Sequence, residues 1–162
     1  MSRIILIAPS AASRVLFDRV AQQLREYNHN VHVYRCFDTS AGTMRIECGD
    51  KNFALVGLMG DRDEIGVGYS ALANVAKHCP QCAIGICLDE MGYLHYGGCR
   101  DVPAQQRIRM AVLSGDPLSF PHVRSMVHVG GRMIRVEEWS QEKVGEIVSA
   151  ILTELRKTVS GV

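Results

Sequence analysis

Aromatic side chains make up only 6% of this 162-residue chain, and its formal charges nearly cancel at +1. That balance removes the general attraction on which binding to nucleic acid or to an anionic lipid surface depends, so neither partner is expected. No apolar run approaches the roughly 18 residues that cross a bilayer, and Met1-Ser2-Arg3 leads into a short strand-like segment instead of a signal-peptide core. A cytoplasmic location and no membrane contact are therefore expected. There is no P-loop and no Gly-x-Ser-x-Gly elbow, which lowers the case for an NTPase or an α/β-hydrolase. Repeats, low-complexity tracts and linker-like shifts in composition are also missing, so residues 1–162 read as one domain.

What is present is ordinary for a globular protein: 47% hydrophobic and 22% charged residues. A chain of this length buries about two-thirds of its unfolded surface and needs no staples. The six cysteines, Cys36, Cys48, Cys79, Cys82, Cys87 and Cys99, are accordingly read as reduced and mostly buried. Continuous apolar runs at Ile4–Ala8, Phe53–Met59 and Ala83–Leu88 suit strands covered on both faces. Val31–Phe37 alternates, as a strand nearer an edge does, and Ser125–Val129 is read as the fifth strand. Between them, Val15, Leu16, Val20 and Leu24 recur at helical spacing behind a Ser10 or Ser13 cap, and a second helix runs from Gly68 to His78. A third is placed after Asp101 and Pro103, with Ile108, Val112 and Leu113 on one face and Gly115 at its end. The last begins at Ser140 and carries a regular stripe from Val144 to Leu155. Met44–Cys48 is read as a short extra arm, Met91–Val102 as a surface loop, and Gly130-Gly131 as a hairpin turn into Met133–Val136. The expected fold is α/β: a three-layer, flavodoxin-like, five-stranded, mainly parallel sheet of order 2-1-3-4-5 with helices on both faces.

In that order the chain winds to opposite sides from the first strand, which opens a crevice between strands one and three. Pro9, Ser10 and Ser13 would then stand beside Gly60, Asp61, Arg62, Asp63 and Glu64. Clustered carboxylates in a crevice can raise one another's pKa and divide nucleophile and acid roles. The plainer alternative is an acidic turn capping the following helix, because Asp and Glu favour helix N-termini. Two other patterns compete. Cys79, Cys82, His95 and Cys99 have the spacing of a Cys3His zinc site, although Gly97-Gly98 disfavours a finger helix there. Gly66-Val67-Gly68-Tyr69-Ser70-Ala71 fits the loose dinucleotide fingerprint, but the acidic residues before it spoil the tight turn that motif needs. No metal and no cofactor are expected.

The segment Phe53–Ala73, FALVGLMGDRDEIGVGYSALA, resembles the strand, Gly/Asp-rich loop and Glu-aliphatic-Gly-aromatic-Ala helix start of nucleoside 2-deoxyribosyltransferases and related N-glycoside hydrolases. Ile4–Pro9 resembles their opening strand, and Cys87-Leu88-Asp89 the acidic strand end that follows. The resemblance implies that Glu64 attacks the anomeric carbon and that Asp61 or Asp63 protonates the departing base. It also implies that Ser10, Ser13, Gly60, Tyr69 and Asp89 face a nucleoside or nucleotide. Such a pair of acids traps an oxocarbenium-like transition state and protonates the leaving group. A second alignment sets Gly68-Tyr69-Ser70-Ala71 on the Gly-aromatic-Ala step and leaves no Glu at the nucleophile's place. Relatives of this kind are often homodimers. The leading expectation is an N-glycosidic bond hydrolase or transferase; the alternative is a non-catalytic α/β module that binds a nucleotide or a partner protein.

Overall fold

The structure is a computed structural model and describes residues 2–35, 51–79, 81–96, 103, 105–137 and 140–159. The order is β1 (Ser2–Ala8), α1 (Ala11–Glu26), β2 (Val31–Arg35), β3 (Lys51–Leu58), α2 (Arg62–His78), β4 (Ala83–Leu88), α3 (Glu90–Tyr96), β5 (Ile108–Ser114), β6 (Arg132–Val136) and α4 (Gln141–Val159). All six strands are parallel and run β2-β1-β3-β4-β5-β6 across the sheet. This is the flavodoxin-like α/β arrangement expected from the sequence, extended by one strand.

Burial explains why the central strands read so clearly. Ile4 to Ala8, Phe53 to Val56 and Ile84, Ile86 and Leu88 are wholly out of solvent, because helices cover both faces. On one face α1 and α4 pack Leu16, Phe17, Val20, Leu24, Val144, Ile147 and Ile151 against Ile4, Leu6, Phe53 and Leu55. On the other, α2 seats Ile65, Leu72 and Val75 over Ile5, Ile7, Ala54 and Val56. Each fully buried Val, Leu, Ile or Phe among them contributes about 1.5–3 kcal/mol of transfer free energy. Gly68 lets α2 settle this close: a methyl at that position would overlap the Gly57 carbonyl and meet Leu58 and Pro9.

Five local expectations are corrected. Ile108–Ser114, read as a helix, is the fifth strand, buried on both faces. Ser125–Val129, read as that strand, instead ends a 3-10 turn at Val123–Met126 and hydrogen-bonds from His128 N to Ile108 O at 2.8 Å. Arg132–Val136 continues no hairpin; it pairs parallel to β5 as the sheet's sixth strand. The loop read from Met91 begins as helix α3, and α2 starts at Arg62, six residues before Gly68. The Met44–Cys48 arm and the Asp101 cap lie outside the described residues. Among the described residues no helix is long and apolar enough to cross a membrane.

Candidate functional site

The sheet order does bring the ends of β1 and β3 together, and both lead at once into helices. Ser10 caps α1: Ser13 N donates to Ser10 Oγ at 3.1 Å, and Ser10 N donates to Ser13 Oγ at 3.2 Å. The two hydroxyls lie 2.8 Å apart, and Ser13 Oγ also donates to Ser10 O at 3.0 Å. Both serines are buried, so their hydrogen-bonding capacity is turned inward. Across the crevice Asp61 caps α2 in the same reciprocal way. Glu64 N donates to Asp61 Oδ1 at 2.8 Å, and Asp61 N donates to Glu64 Oε1 at 2.9 Å. This capping box satisfies two of the backbone N–H groups that a helix start leaves open.

Gly60 joins the two walls. Its φ of +116° is a conformation that other residues rarely adopt, and a side chain there would sit 2.6 Å from Glu64 Oε1 and 2.8 Å from Ser10 Cβ. Ser10, Gly60 and Glu64 are thus neighbours, as the crevice reading required. Asp61 and Asp63 lie exposed on the rim, and Glu64 is half-buried.

Asp89 and Tyr69, expected to face a substrate, hydrogen-bond within the fold. Asp89 Oδ2 accepts from Gly60 N at 2.9 Å, and its Oδ1 accepts from Gly92 N at 2.7 Å in the first turn of α3. One carboxylate therefore ties the end of β3 to the start of α3. Tyr69 is buried, and its hydroxyl donates to Gly92 O at 2.7 Å, which locks α2 against α3.

The zinc spacing is not assembled among the described residues. Cys79 is disulfide-bonded, which corrects the expectation of a reduced thiol at that position and removes it as a thiolate ligand. Cys82 and Cys87 are free and buried. Burial pushes the Cys82 thiol up to about 12, against the pull of the nearby Arg107 guanidinium, and pushes Cys87 up further, aided by the Asp89 charge. Cys82 Sγ donates to Ala83 O at 3.3 Å, and Cys87 Sγ to Met59 Sδ at 3.2 Å. His95 Nδ1 lies 3.0 Å from Met91 O in its own helix, while Cys99 falls outside the described residues. No group of three or more metal-binding side chains occurs among the described residues.

Arg107 went unnoticed in the sequence. Its guanidinium donates to the carbonyls of Ala76 at 2.8 Å, Cys79 at 2.6 Å and Cys82 at 3.1 Å, and so ties the end of α2 to the approach to β4. Nothing in its sequence neighbourhood signals this, because the acceptors lie 25 to 31 residues upstream.

No protein-family model matches the chain, and no curated protein matches it. Among solved structures, it is similar to a CheY-like response regulator receiver domain protein from Methanospirillum hungatei JF-1. That match covers 98% of each chain at 16% identity with a TM-score of 0.49.

Proposed function

We propose that the chain is a non-catalytic α/β binding module. The observation that carries this reading is the occupation of its acids. Glu64, the carboxylate placed as nucleophile, receives Asp61 N, and Asp61 receives Glu64 N. Asp89 receives two more backbone amides. A nucleophile must be free to approach an anomeric carbon, and an acid must hold a proton to give. These carboxylates complete helix starts instead, and Ser10 and Glu64 both stand close against Gly60.

One observation favours the N-glycosidic bond enzyme as a second reading: Ser10 and Glu64 meet at the β1/β3 edge, where a switch-point fold binds its ligands. In that reading Glu64 leaves the cap when substrate arrives. Gln accepts the same N-cap hydrogen bond, so Glu64→Gln keeps the fold while removing the nucleophile. For a binding module, wild-type protein releases no base from a panel of nucleosides and nucleoside monophosphates, and no base exchange occurs. Base release by the wild type that disappears in Glu64→Gln, with the unfolding midpoint unchanged, would overturn the proposal.

A further inference from the structure

A groove of about 480 Å³ lies on the outside of the α1/α4 layer, away from the β1/β3 edge, and its walls are Gln23, Tyr27, His29, Gly145, Ser149 and Arg156 over a floor of Val148 and Leu152. The volume is that of a small-molecule site. Three features give it a chemical character. First, Gly145 lies inside α4 with no packing reason: among the described residues no heavy atom stands within 4 Å of where a Cβ would be. A glycine inside a helix is unfavourable relative to alanine, and here its effect is to leave the groove open. Second, Tyr27 closes α1, is 64% exposed and offers its ring at the wall. Third, among the described residues Arg156 is the only lining residue of fixed charge. Among the described residues the Arg156 guanidinium and the Gln23 and His29 side chains make no hydrogen bond or ion pair.

From these we infer that the groove binds a small planar aromatic carboxylate, with the ring against Tyr27 and the carboxylate on Arg156. A guanidinium matches a carboxylate with two parallel hydrogen bonds. A phosphate suits the groove less well. Among the described residues the lining supplies one fixed cation, and α1 and α4 both end at this side of the sheet, where the carbonyl ends of helices oppose additional negative charge. Val148 and Leu152 supply the apolar floor that an aromatic ring needs, while Gln23 and His29 reach its edge. The groove is a different surface from the β1/β3 crevice, and what it binds does not depend on Glu64.

The test is calorimetric titration of the full chain with benzoate, naphthoate and indole carboxylates, with their neutral amides and aryl phosphates as controls. At least one carboxylate is expected to bind saturably with a Kd below about 1 mM, and its amide at least about tenfold more weakly. Arg156→Gln should weaken that binding by a similar factor. Gly145→Leu should abolish it without lowering the unfolding midpoint, because the new side chain enters empty space in a helix that gains propensity. Absence of saturable binding across the panel would overturn the inference, as would binding that survives both substitutions or an aryl phosphate that binds more tightly than its carboxylate.

Discussion

At the scale of single residues, the acidic side chains of the β1/β3 edge are capping groups, and their stability effects should follow from that. Asp89 offers one oxygen to Gly60 N and the other to Gly92 N. Asp89→Asn replaces one acceptor by an NH2 group that must face an N–H, leaving a partly buried donor without a partner. The expected cost is about 1–3 kcal/mol, read as a lower denaturant midpoint; an unchanged midpoint would show that the bridge contributes nothing. Arg107→Met should cost at least as much, since a charged donor serving three carbonyls is lost. Asp89 was legible only in part. An acid after an apolar run marks a strand end, but the same residue type serves a ligand or a helix start, and Gly92 made the following helix look like loop. Arg107 was not legible at all, because nothing local announces a bond to a distant carbonyl.

At the scale of elements, the sequence was clearest where one spacing had one meaning. The stripe from Val144 to Leu155 became α4, and Ser140 Oγ does accept from Lys143 N at 3.2 Å. The segment Ile108–Ser114 was ambiguous because a short strand buried on both faces is apolar at every spacing, helical ones included. Ser125–Val129 misled in the opposite sense: its apolar residues look strand-like, yet its polar backbone is used in turns and in a Gln105 Nε2 bond to Val127 O at 2.8 Å. The start of α2 shows the same limit, because Gly66 and Gly68 hide a helix that its capping box starts at Arg62. Two substitutions separate the cap from the packing. Asp61→Ala, on an exposed rim, should cost about 1 kcal/mol. Gly68→Ala should cost about 3 kcal/mol or more despite the better helix propensity of alanine, because its methyl meets the Gly57 backbone. Thermal or denaturant unfolding measures both, and a stabilised Gly68→Ala protein would mean that the helix can lift from β3 at no cost.

At the scale of the whole molecule, the sheet order was accessible because continuous apolar runs identify strands covered on both faces, and alternating helices force parallel neighbours. The sixth strand was missed because a parallel strand joined without an intervening α-helix looks like the second arm of a hairpin. The same two-sided cover that builds the sheet sets a whole-molecule response to alkali. Cys82 and Cys87 are held as neutral thiols by burial, Cys82 up to about 12 against an ordinary value of 9.0. Above pH 9 the unfolded chain releases these protons while the native chain keeps them, so the native state binds more protons and stability falls with rising pH. For Cys82 the fall begins near 9 and ends near 12, with a limiting slope of about 1.4 kcal/mol per pH unit for each thiol. Cys82→Ala with Cys87→Ala should remove that part of the slope while lowering stability at neutral pH through lost packing. Denaturant midpoints for the two proteins across the alkaline range decide it: parallel pH profiles would mean that neither thiol is shielded as the fold implies.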